Sequence, residues 1–338
     1  MTKNIEENRE ISAVSARLLV AGVALFVVSG CWFLHFLPVV FSFPTLIVEY
    51  LDKGHLKPWQ QGQFYSELSV RAGLLVSAFM VLLSLLFFVR RFYFLAVFLP
   101  LICVFMFVFP FAYEKDNFSW GLSKWSDPMV QQFKPYIITK KMIIYEYEGR
   151  HPEIEIPVFF LQYLLTPTFL IGIWSVCILG QKPVRSLFRI KKFSVPEVVI
   201  DSRHYYATLS KSYAELMFLL MLSLLPDTLM NIFEKGQQFR MNPPNIYWNI
   251  IFIILWFVGI SGFYLRKFYF FSLLVPIVFL TTAGNFFNDM TLQFQALGNV
   301  YGVRLIIIAI GSRLILSLLG LWIWWNNFGI HERMKYVR

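Results

Sequence analysis

The sequence predicts an all-α polytopic membrane protein: about eight transmembrane helices, arranged as two parallel four-helix repeats, with a small extracytoplasmic β-hairpin. Three observations predict it. Of 338 residues, 57% are hydrophobic and 19% aromatic, and only 15% are charged, against about 25% charged in an ordinary soluble domain. Eight segments approach the roughly 20 apolar residues that a helix needs to cross a bilayer. Two short motifs also recur at a nearly constant spacing.

The repeat sets the domain organisation. Arg90-Arg91-Phe92-Tyr93-Phe94 returns 176 positions later as Arg266-Lys267-Phe268-Tyr269-Phe270, and a proline follows each copy, Pro100 and Pro276. At a spacing of 182, Pro44-Thr45-Leu46 leading to Asp52-Lys53-Gly54 is matched by Pro226-Asp227-Thr228 leading to Glu234-Lys235-Gly236. The apolar segments run over about 18–43, 68–89, 92–112, 157–180, 212–233, 247–265, 268–286 and 302–325. The two echoes fall at equivalent places in that series, so one module has four helices. Four is even, so both modules enter the membrane in the same sense, as a parallel duplication. The expected units are a first module at 1–180, a basic cytoplasmic linker at 181–211 and a second module at 212–338.

Charge orients the helices. The termini and the loops near 90, 181–211 and 266 hold 17 Lys and Arg against six acidic residues; the other side holds 12 against thirteen. The positive-inside rule then puts both termini in the cytoplasm of what reads as a bacterial inner membrane. The polar stretch Met1–Arg17 leads into a long apolar run with no clear cleavage site, which reads as a retained first helix. Arg90, Arg91, Arg266 and Lys267 become inner-surface anchors beside the anionic leaflet.

Taken in order, the first helix is expected to kink at Pro44. It should end at Asp52-Lys53-Gly54, where a cation and a glycine have the shape of a C-cap. The fifth is expected to end in the same way at Glu234-Lys235-Gly236. The outer loop 113–156 opens on Trp120 and Trp125, as an interfacial segment would. It then alternates through Ile143–Glu148 and Glu153–Ile156 about Gly149-Arg150-His151-Pro152, the pattern of a hairpin. An isolated hairpin is marginal in water, so it should lean on the outer helix ends or on a partner protein. Pro183–Phe193 interleaves Arg185, Arg189, Lys191 and Lys192 with Val184, Leu187, Phe188 and Ile190. It reads equally as a basic amphipathic helix on inner lipids and as a solvated loop. Residues 194–210 read as linker.

Chemistry is narrowed mostly by exclusion. The net charge of +10 is explained by membrane topology, so no nucleic-acid partner is expected. Cys31, Cys103 and Cys177 sit in apolar runs with no CxxC spacing, as small packing residues do. His35, His55 and His151 lack ligand spacing, so neither metal nor cofactor is expected. Asp201-Ser202-Arg203-His204-Tyr205 has catalytic residue types but reads as capping and anchoring. No phosphate loop, nucleophile elbow, zinc helix or dinucleotide fingerprint is present.

What remains is charge inside the expected spans. Glu215 and Asp227 are separated by only eleven residues, about 16 Å of helix in a hydrocarbon core of roughly 30 Å. Lys211 lies one helical turn before Glu215, within pairing distance on one face. Arg313 has apolar residues on both sides, Leu305–Ile310 and Leu314–Trp325. A lone arginine at such depth costs at least ~2.5 kcal/mol, so a partner is expected, Glu215 first and Asp227 second. Lys211, Glu215, Asp227 and Arg313 are therefore the candidate binding residues, either as a register-fixing ion pair or as a polar pocket. The first functional expectation is a noncatalytic membrane subunit or scaffold of a larger envelope complex. A transporter or binder of a hydrophobic or amphipathic small molecule, and a lipid or quinone enzyme, are the alternatives.

Overall fold

The computed structural model describes residues 2–42, 58–90, 92–112, 166–189, 202–237, 244–266, 271–281 and 300–335. Among them are nine helices and no strands. In chain order they are α1 (Thr2–Ser42), α2 (Pro58–Val89), α3 (Tyr93–Ala112), α4 (Thr166–Leu179), α5 (Lys182–Arg189), α6 (Ser202–Gln237), α7 (Pro244–Leu265), α8 (Phe271–Thr281) and α9 (Val300–Lys335). The described part of every apolar segment expected from the sequence falls on a helix. The expected hairpin, Pro44 and Asp52-Lys53-Gly54 lie outside the described residues.

Two of the helices are long and apolar enough to cross a membrane, Arg9–Leu34 of α1 and Ala72–Val89 of α2. They differ in position: 67% of the first is buried and 28% of the second. α1 is the hub. It packs on α2, α4, α5, α6 and α9, with Val20, Ala21, Ala24 and Leu25 buried along it. Its contacts with α6 and α9 lock the two halves of the chain into one bundle. α6 in turn packs on α4, α7 and α9.

On α2 and α3 large apolar side chains are found outside as well as inside. On α2 the small polar Ser77 and Ser84 face inward with Met80, Leu83 and Phe87. Leu75, 73% exposed, and Leu82 point outward. Along α3, Phe94 (81% exposed), Phe98 and Phe105 are on the outside, while Ala96, Leu99 and Cys103 are inside. Small and weakly polar residues at the contacts let helix backbones approach closely. Gly259 and Gly262 of α7 show the extreme: a methyl added to either would stand 2.9 Å from a backbone nitrogen of α8, that of Val275 or Ser272.

The first residue of the repeated turn has the same backbone conformation in both copies. Arg90 follows α2 and Arg266 follows α7, and each adopts a left-handed conformation with φ of 54°. That region costs an ordinary L-residue roughly 1–2 kcal/mol, and helices that end this way usually do so with glycine. The Arg90 amide closes the last turn by donating to the Leu86 carbonyl at 2.8 Å. The proline downstream is also met in both copies. Gly172 of α4 lies where a methyl would stand 3.0 Å from the Pro100 carbonyl, and Ser317 of α9 donates to the Pro276 carbonyl at 3.0 Å.

Two boundaries differ from expectation. α6 begins at Ser202, within the stretch read as linker, because its first turns are held by packing: Tyr205 and Tyr206 meet edge to face at 5.4 Å, and Asn327 of α9 donates to the Tyr206 carbonyl at 2.9 Å. It also runs on through Gly236 to Gln237. α1 begins at Thr2, and Ser12 and Ser15 of the polar N-terminal stretch are buried in the bundle.

Candidate functional site

The candidate residues of the second half lie on α6 and α9, with α7 and α8 completing their surroundings. Ser317 holds α9 to α8 through the Pro276 carbonyl. One turn earlier on α9, Arg313 is only 2% exposed, and its guanidinium carbon sits 5.8 Å from the centroid of the Phe279 ring on α8. Trp256 of α7 also packs on that ring, at 5.5 Å. A guanidinium over an aromatic face gains electrostatically from the ring quadrupole, by about 2 kcal/mol where water is excluded.

α6 meets α9 through Tyr213, not through Glu215. The buried Tyr213 hydroxyl donates to the Leu316 carbonyl at 3.0 Å, and its ring packs on Phe263 at 5.0 Å. Gly320 is required opposite, because a methyl there would run into the Tyr213 phenol. Two residues further along α6 is a rotation of roughly 200°, so Glu215 faces away from α9. It points to α4, where Trp174 Nε1 donates to Glu215 Oε2 at 3.1 Å. Lys211 is exposed, with its ammonium 5.5 Å from the Tyr264 ring of α7.

Three charges expected to converge thus face three different neighbours. Among the described residues no ion pair joins Glu215 to Arg313 or to Lys211. The spacing of Lys211 and Glu215 allowed a pair on one face, but Tyr264 and Trp174 hold the two ends in different directions. Asp227 falls on α6, with its side chain outside the described ones. Arg91 and Lys267 lie outside the described residues, whereas Arg90 is half-buried and Arg266 exposed.

Several polar side chains of the interior were not singled out by sequence. Trp32 Nε1 donates to Thr168 Oγ1 at 2.9 Å and ties α1 to α4; Ser210 donates to the Phe263 carbonyl at 2.8 Å and ties α6 to α7. Ser29, Ser175 and Trp256 are buried with a polar atom lacking a hydrogen-bond partner. Trp174 had the one legible signal, an indole in an apolar run near the depth of an acid. Among the described residues no group of three or more His, Cys, Asp and Glu is placed to hold a metal ion; His55 and His151 lie outside them. Comparison with known proteins finds no matching family model, no similar curated protein and no similar solved structure.

Proposed function

We propose that the chain is a multi-pass protein of a bacterial inner membrane, with both termini cytoplasmic, and that it serves as a noncatalytic subunit or scaffold of a larger envelope complex. One observation carries this reading. The interior polar groups are used helix to helix: Tyr213, Ser210, Ser317 and Asn327 each donate to a backbone carbonyl of a neighbouring helix. In a lipid-surrounded bundle such bonds act as glue, worth about 0.6 kcal/mol each on average. The outward faces of α2 and α3 are apolar and aromatic, as a lipid or membrane-partner contact requires. The anionic inner leaflet and other membrane or extracytoplasmic proteins are the partners that this reading implies.

The experiment is affinity purification of the full chain in mild detergent, followed by native mass spectrometry. A stoichiometric complex with a second membrane or extracytoplasmic protein is expected. A clean monomer from which no partner is recovered would sink the scaffold reading. Resistance to alkaline carbonate extraction tests the membrane reading on its own.

A second reading rests on Arg313, a cation buried at 2% exposure between α8 and α9. It supports a pocket for a hydrophobic or amphipathic small molecule, or for a lipid or quinone substrate. Transport or turnover lost in Arg313→Gln with the fold intact would favour it over the scaffold; full retention in that variant would remove it.

A further inference from the structure

At one end of the bundle, α1, the turn after α2, the turn after α4 and the start of α6 meet. Three arginines from three separate segments gather there. Arg90 Nη2 donates to Ser15 Oγ of α1. Arg17, two residues further along α1, donates through Nη1 to Gln181 Oε1 at 3.2 Å. The Gln181 carbonyl in turn accepts from the Val184 amide at 3.1 Å, in the first turn of α5. The next residue, Arg185, stands with its guanidinium carbon 5.7 Å from the Tyr93 ring. Tyr93 is three residues from Arg90 and is fixed by donating to the Leu179 carbonyl at 2.8 Å. The contacts therefore link the three arginines through the residues they touch into a ring, along one rim of the bundle.

The partners in that ring are all neutral. A serine hydroxyl, an amide oxygen and a phenol ring orient a guanidinium without cancelling its charge. No ion pair to Arg17, Arg90 or Arg185 occurs among the described residues. Arg17 Nε is also buried with no hydrogen-bond partner, a deficit that costs roughly 1–3 kcal/mol unless an acceptor arrives. The Arg90 charge acts on its surroundings: burial raises the pKa of the Tyr205 phenol, and Arg90 pulls it back down. An oxyanion with several oxygens would supply the acceptors and the counter-charge together. Beside the rim, Phe92 and Phe94 are strongly exposed. A ligand that meets both features carries an anionic headgroup on an apolar body.

We infer that Arg17, Arg90 and Arg185 form a site for the phosphate group of an anionic phospholipid. The inference rests on the membrane reading above. In that setting the arginines meet the headgroup, while Phe92 and Phe94 meet the acyl chains.

The test is native mass spectrometry of the full chain in detergent, titrated with phosphatidylglycerol, with phosphatidylcholine and with inorganic phosphate. Phosphatidylglycerol should be retained preferentially. Arg185→Gln, Arg17→Gln and Arg90→Gln should each weaken it about fivefold, the worth of one cation near an anionic lipid surface. Arg266→Gln, in the other copy of the turn, should leave binding unchanged. Arg185 is exposed and, among the described residues, stands against the Tyr93 ring, so its variant keeps the fold even where Arg90→Gln does not. Arg185→Lys, which keeps the charge, should retain most of the binding. Equal retention of both lipids, or equal losses in Arg266→Gln and Arg185→Gln, overturns the site. Full displacement of phosphatidylglycerol by inorganic phosphate overturns the lipid assignment and leaves a soluble anion. Release of the chain by carbonate extraction would instead overturn the membrane reading beneath it.

Discussion

The arginine that opens each copy of the turn has the same backbone conformation in both and different surroundings for its side chain. Arg90 and Arg266 both end a long apolar helix in the left-handed region at φ of 54°. Arg90 is half-buried and reaches back to Ser15 of α1, in a rim with Arg17 and Arg185. Arg266 is exposed. The downstream prolines repeat the lesson, since Gly172 meets Pro100 by bare close approach and Ser317 meets Pro276 by a hydrogen bond. Where the motif recurs, the left-handed arginine recurs with it. What each copy is used for depends on which other helices it faces, and among the described residues it is the first copy that meets α1.

The largest effect should come from the proline contacts. A methyl on Gly172 would stand 2.9 Å from Cys103 Cβ and 3.0 Å from the Pro100 carbonyl, and two further methyls have nowhere to go. Gly172→Val should therefore destabilise by about 2–3 kcal/mol, the upper range for overpacking. Ser317→Ala removes one buried hydrogen bond and should cost only about 1 kcal/mol. Equilibrium unfolding in mixed detergent reads both. Similar losses for the two variants would mean that α4 does not approach α3 more closely than α9 approaches α8.

The turns provide a smaller contrast. Arg90→Gly removes a charge-assisted bond to Ser15, worth about 1.5–3 kcal/mol, and relieves a left-handed cost of about 1–2 kcal/mol. The extra freedom that glycine gives the unfolded chain adds about 0.4–1 kcal/mol, so a net loss of about 1.5 kcal/mol is expected in the same unfolding assay. A gain in stability would show that the rim contact contributes nothing.

Much of this was readable in the residues. The described part of each apolar run is helix, as long apolar runs with few breakers predict. The basic stretch from Pro183, which read equally as helix and as loop, is helix as far as Arg189, with Val184, Leu187 and Phe188 turned inward. The polar extensions were not readable. Ser12 and Ser15 in α1, and Ser202 to Ser210 in α6, carry the composition of a loop, and only their neighbours make them helix. Serine is neutral to unfavourable in an isolated helix, but its small side chain is what a crowded helix contact needs. The pairing of Glu215 with Arg313 was unreadable for a different reason. Depth along two helices can be estimated from sequence, but rotation cannot, and Tyr213 rather than Glu215 holds the side of α6 that faces α9.

The smallest prediction separates the copies most sharply because its sign differs. Arg266→Gly gains the same relief from the left-handed region, about 1–2 kcal/mol. Against this stands the extra freedom that glycine gives the unfolded chain, about 0.4–1 kcal/mol. The Arg266 side chain is exposed, and contacts of exposed arginines contribute about 0–1 kcal/mol at most. The sum is a change near zero or a gain of about 0.5 kcal/mol, where the identical substitution at Arg90 loses stability. If Arg266→Gly instead loses as much as Arg90→Gly, the arginine is needed in both turns for its side chain. The difference between the copies would then lie only in the rim that Arg17 and Arg185 complete.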